Sequence, residues 1–119
     1  MKVAISARGN DIDSFVDPRF GRARWFVIAD SDNDEWRVHD NAENVGAGHG
    51  AGIQAASTVV RLGASAVVTG DVGPNAYRVL SEAGVPVYSS GEATVREALA
   101  ALRRGDLREV SGATVPGRA

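Results

Sequence analysis

The 119-residue chain contains no cysteine. Disulfides, zinc–thiolate centres and all-cysteine iron–sulfur ligation are therefore excluded within it. It also has no apolar run as long as a membrane span, so no transmembrane segment is expected. Met1-Lys2-Val3-Ala4-Ile5 passes straight into strand-forming residues and lacks the apolar core of a secretory signal. A cytoplasmic location is the expectation. Lysine is nearly absent too: Lys2 is the only one, and the other basic residues are arginines. With a net charge of −2 and a pI near 5.6, nothing attracts the chain generally to nucleic acid, and no nucleic-acid or membrane partner is expected.

What is present fits one compact domain. The length suits a single core, and 44% hydrophobic with 24% charged residues is ordinary for a globular protein. Lys2 to Ala7 alternates, with Val3 and Ile5 on one face, and predicts a strand. Arg24 to Ala29 and Glu35 to Asp40 flank the polar turn Ser31-Asp32-Asn33-Asp34 and predict an antiparallel hairpin. The period then becomes helical: Ile53, Ala56, Val59 and Val60 form a stripe that stops at Gly63. Ser65 to Thr69 predicts a buried strand. Pro74 opens a helix ending at Gly84, and Val85 to Tyr88 is a further strand. Thr94-Val95-Arg96-Glu97 is a capping box for a last helix that ends before Gly105.

The predicted order is β-β-β-α-β-α-β-α, an α/β fold with a mixed five-stranded sheet between helices. Residues 1–110 form the domain, and 111–119 read as a flexible tail. If the first three strands meander, right-handed crossovers make the last two strands parallel to the first. Four loops then open on one sheet edge: Arg8 to Arg22, Asn41 to Gly52, Gly70 to Asn75, and Ser89 to Thr94. In open α/β sheets this edge binds ligands.

The densest signal is Asn44-Val45-Gly46-Ala47-Gly48-His49-Gly50-Ala51-Gly52-Ile53. Alternating glycines cost backbone entropy and imply a demanding turn or a close approach to the backbone. A helix starting here would aim unpaired amides and its positive dipole end at the loop. That arrangement suits an anion, with His49 as a metal ligand. A plain crossover loop that happens to contain a histidine accounts for the same residues.

Asp17-Pro18-Arg19-Phe20-Gly21-Arg22-Ala23, then a strand, then Gly50-Ala51-Gly52-Ile53-Gln54-Ala55-Ala56 resembles the dinitrogenase iron–molybdenum cofactor-binding family, which includes NifX-like carriers and the C-terminal domain of NifB-like proteins. Thr69 to Ala76 and Thr94 to Ala98 match the same pattern in order, and the resemblance covers about residues 1 to 108. It implies a ribonuclease-H-like three-layer fold. It also implies binding, storage or delivery of an iron–sulfur or iron–molybdenum cluster, with a cofactor-biosynthesis or acceptor protein as partner.

On that reading the candidate metal ligand is His49, and Gly48, Gly50 and Gly52 line the cluster. Arg19 and Arg22 supply counter-charge, while Asn75 either contacts the ligand or caps its helix. Arg19 equally suits a surface pair with Asp17, with Phe20 anchoring the loop. Arg24 reads as structural, Arg8 and Asn10 are supported by position alone, and His39 reads as a solvated strand residue. Asp71 would repel an anion, so a capping role is expected.

No catalytic constellation is present. The first strand has no acid to begin a two-metal nuclease site. There is neither a Walker-type loop nor a nucleophile with its base. A non-catalytic carrier is the expectation; the alternative is a regulatory or interaction domain holding a phosphorylated small molecule or a protein partner in the same crevice.

Overall fold

The computed structural model describes residues 1–46 and 50–116. One mixed sheet runs through the molecule in the order β3-β2-β1-β4-β5-β6. Its strands are β1 (Lys2–Ala7), β2 (Trp25–Asp30), β3 (Trp36–Asp40), β4 (Ala66–Thr69), β5 (Val87–Ser89) and β6 (Arg108–Glu109). β2 is antiparallel to both β1 and β3, whereas β4 is parallel to β1 and β5 to β4. The meander is as expected, so β1, β3, β4 and β5 all point the same way. Among the described residues the sheet has six strands, not the five expected. The two-residue β6 pairs antiparallel with β5 through Tyr88 and Ser89, and so short a strand has no alternation to read.

The helices are α1 (Ala42–Val45), α2 (Ala51–Arg61), α3 (Pro74–Glu82) and α4 (Val95–Arg104). The single turn α1 was not expected. Period-2 alternation divides the sheet side chains between two cores. Ala4, Phe26, Ile28 and Val67 pack against Ala56 and Val59 of α2 and Leu80 of α3. Val3, Ile5, Val27 and Val68 pack against Val95, Ala98 and Leu99 of α4. Gly63 and Gly105 end α2 and α4 at φ 86° and 75°, left-handed values that favour glycine. The capping box of α4 is complete in both directions, Thr94 Oγ1 accepting from the Glu97 amide and Glu97 Oε1 from the Thr94 amide.

Beyond β6, Thr114 meets Val72 reciprocally. The Thr114 amide donates to the Val72 carbonyl at 2.8 Å, and the Val72 amide donates to Thr114 Oγ1 at 2.9 Å. Among the described residues no helix is long and apolar enough to cross a membrane.

Candidate functional site

Because β1, β3, β4 and β5 are co-directional, their following loops gather at one edge of the sheet. The longest of these, residues 8–24, lies across that edge and is fixed to it. The Asp17 amide donates to the Ser6 carbonyl at 2.8 Å, and the Asp71 amide donates to the Pro18 carbonyl at 2.6 Å. Gly70 makes this crossing possible, since a Cβ there would stand 2.6 Å from Pro18 Cα. Beneath it the buried Ser6 hydroxyl lies 2.7 Å from both the Asp17 carbonyl and Thr69 Oγ1. Phe20 is buried 5.2 Å from the Phe26 ring and anchors the loop as expected.

Asp17 is buried and accepts the Arg19 amide at 3.0 Å, with Arg19 Nε 3.6 Å from the same oxygen. The Arg19 side chain stays 68% exposed. It is thus tethered at its root with its guanidinium in solvent. Arg22 Nη1 donates to the Val45 carbonyl at 3.1 Å, which joins the loop to the end of α1. Arg24 pairs with Asp40 through Nε–Oδ1 at 2.9 Å and Nη2–Oδ2 at 3.1 Å and lies over the Trp25 ring. The guanidinium of Arg24, then the Ala42 amide, hold the Asp40 carboxyl below its ordinary range.

Two helix starts converge here. A Cβ on Gly21 would lie 2.8 Å from Gly52 Cα, and one on Gly52 would lie 3.3 Å from Ala76 Cβ. The first turns of α2 and α3 therefore sit side by side under the Gly21 turn. Gly50, at φ 87°, and Gly73 are their N-caps, and neither helix has a side-chain cap or an acid in its first turn. Among the described residues no side chain compensates the amides and dipole ends that both present to this edge. α4 begins at the same edge, but its capping box satisfies it internally.

The structure thus brings Arg22, Gly50 and Gly52 around the α1–α2 connection, with Arg19 bridged to Asp71 beside α3. Gly52 is required by packing against Gly21 and Ala76. Asn75 is exposed on the first turn of α3; it does not cap that helix, and neither does Asp71, because Gly73 occupies the N-cap. The capping role expected for both is corrected accordingly. Gly48 and His49 lie outside the described residues. Among the described residues no group of three His, Asp or Glu side chains could hold a metal ion.

Two features escaped the sequence reading. Buried Asn41 donates Nδ2 to the Ala23 carbonyl and accepts Asn44 Nδ2, fixing the entrance to α1. A cavity of about 640 Å³ opens where the β1 and β4 connections diverge, with Arg8, Phe15, Asp71 and Glu92 on its walls. Only the expected convergence of loops signalled it.

A family model described as dinitrogenase iron-molybdenum cofactor matches residues 1–105. The chain belongs to this family. Similar structures include the apo form of the orange protein from Desulfovibrio gigas, with 37% identity, 96% of each chain covered and a TM-score of 0.93. A Thermotoga protein provisionally named NifB shares 35% identity over 96% of this chain and 97% of its own, with a TM-score of 0.84. An uncharacterized Methanocaldococcus jannaschii protein is 29% identical over 92% of this chain and 91% of its own. Membership of the family ties the chain to a cofactor-associated role.

Proposed function

We propose that this protein is a small, non-catalytic carrier that holds an anionic iron–sulfur or iron–molybdenum cluster as cargo for biosynthesis, storage or delivery. The observation that supports it best is the pair of uncapped helix starts joined through Gly21, Gly52 and Ala76. Backbone amides and dipole ends aimed at one place attract negative charge. Arg19 and Arg22 flank that place and add two cations that grip sulfide-rich or oxyanionic surfaces through forked N–H groups.

The donor set fits outer-sphere holding. With no thiolate in the chain, the inner-sphere ligand on this reading is His49, whose neutral imidazole suits iron. Hydrogen bonds and charge hold such cargo loosely, which favours transfer to an acceptor protein over permanent retention. On this reading the fold is ribonuclease-H-like, residues 1–110 are the functional domain, and the protein works in the cytoplasm.

Anaerobic titration of the purified protein with a chemically prepared iron–sulfur cluster, and separately with isolated iron–molybdenum cofactor, tests the reading by absorbance. Wild type is expected to take up one of them, with weaker uptake by Arg19→Ala and by His49→Ala. Equal uptake by all three proteins would remove those residues from the site. Uptake of neither cargo by wild type overturns the carrier role.

A further inference from the structure

The 640 Å³ cavity is separate from the α2–α3 helix starts and shares neither Arg22, Gly50 nor Gly52 with them. It sits at the switch point of the sheet, over the carboxyl ends of β1, β4 and β5, the place where open α/β sheets take small ligands. Its volume lies within the range of small-molecule pockets, which span roughly 300–1,000 Å³.

The charges on its walls come from three different loops. Arg8 follows β1, Asp71 follows β4, and Glu92 follows β5. Adjacent strands lie about 4.8 Å apart, so the strand ends that carry these three loops span a ledge roughly 10 Å wide. Among the described residues none of these three side chains has a hydrogen-bond or ion-pair partner, although opposite charges line one cavity. One cation and two carboxylates border the same cavity, exposed and unpaired, so a guest that carries both signs can pair with each.

The apolar wall is equally defined. Phe15 is 55% exposed, yet its backbone is clamped. The Arg8 amide donates to the Phe15 carbonyl at 3.0 Å, the Val16 amide to the Ala93 carbonyl at 2.9 Å, and the Val95 amide to the Ser14 carbonyl at 2.8 Å. An aromatic ring presented to solvent by a rigid segment, beside Pro18, is a contact surface for an apolar body. Ser89 and Ser90 donate their hydroxyls to the Gly70 and Gly91 carbonyls, which leaves their oxygens able to accept an N–H.

We propose that this cavity binds a small zwitterion of amino-acid or dipeptide size. Its carboxylate pairs with Arg8, its primary ammonium with Asp71 and Glu92, and its apolar side chain lies against Phe15 and Pro18. Two carboxylates against one guanidinium repel a phosphate group, so the site discriminates against phosphorylated ligands.

The test is amide NMR on the intact protein with L-phenylalanine and glycyl-L-phenylalanine as probes. Phenethylamine, which lacks the carboxylate, and N-acetyl-L-phenylalanine, which lacks the ammonium, serve as single-charge controls. At least one zwitterion is expected to shift the Gly70, Ser90 and Gly91 amides saturably, and each control to bind roughly tenfold more weakly or worse, as expected for losing one charged hydrogen bond. Arg8→Ala should weaken the zwitterion to the level of phenethylamine, and Glu92→Gln should weaken it toward that of the N-acetyl compound. Both side chains are exposed, so unchanged melting temperatures verify the fold of each variant. No shift at these amides up to about 10 mM of either zwitterion, an affinity too weak to matter, overturns the proposal. Equal binding of the single-charge controls does so as well.

Discussion

Gly21 and Gly52 meet backbone to backbone: a Cβ on the first would stand 2.8 Å from Cα of the second and 3.0 Å from its nitrogen. Neither chain can yield without moving the start of α2. Gly21→Ala is therefore expected to destabilise the protein by about 1–3 kcal/mol, the usual range for overpacking. Urea denaturation checks this. A loss much smaller than that would show that the contact relaxes freely.

Ser6 carries a second structural consequence. Its hydroxyl links the Asp17 carbonyl and Thr69 Oγ1 in a buried place. Ser6→Ala leaves both without that partner, and an orphaned buried polar group costs about 1–3 kcal/mol. The loss should exceed that of Thr69→Val, which removes one end of the network and leaves Ser6 bonded to Asp17. Comparing the two variants by thermal melting separates the roles.

Acid sensitivity follows from Asp13. The guanidinium of Arg96, 2.8 Å away, holds its carboxyl below the ordinary range. A carboxyl depressed in the folded state stabilises at pH above its unfolded value, about 3.9. That contribution is lost as pH falls through the lower folded value. Asp30, held down by the Asp32 amide, and Asp40, held down by Arg24, act in the same direction. Arg96→Ala should therefore lessen the drop in melting temperature between neutral pH and pH 3. All of these groups are solvent-exposed, so salt should shrink the effect. An acid limb identical to wild type would remove the pair from acid stability.

Arg19 gives the cleanest separation of cargo binding from stability. Its exposed guanidinium meets the buried Asp17 carboxylate only at 3.6 Å, and the shorter 3.0 Å bond from the Arg19 amide to that carboxylate survives truncation of the side chain. Arg19→Ala is expected to leave the melting temperature nearly unchanged while weakening cluster uptake and its salt dependence. Arg22→Ala should affect both, because Arg22 also bonds the Val45 carbonyl. Equal melting temperatures for the two variants would contradict this assignment.

The architecture was legible wherever a local pattern carried the tertiary information. Alternation in Val3 and Ile5, the helical stripe through Val59, the Thr94–Glu97 box and the glycine stops each reported an element that formed as read. What escaped notice was held by contacts distant in sequence. β6 is two residues long and exists because Tyr88 and Ser89 offer it a partner. Thr114 is fixed by Val72, 42 residues away.

The site was legible only in part, for the same reason. Glycine density correctly marked a close approach, but nothing local says that Gly52 faces Gly21 and Ala76. Nor does sequence spacing reveal that Arg8, Asp71 and Glu92 border one cavity. Asn75 followed the general preference of asparagine for helix starts, yet with Gly73 as N-cap and Pro74 at N1 it lies two positions too far into α3 to cap it.

The short ribbon at Arg108–Glu109 does more than lengthen the sheet. It occupies the hydrogen-bonding flank of β5 that would otherwise offer its amides and carbonyls to any extended chain. Clipping the protein after Leu107 would uncover that flank, and the expected outcome is self-pairing between molecules: a bared edge would become the seed of an aggregate.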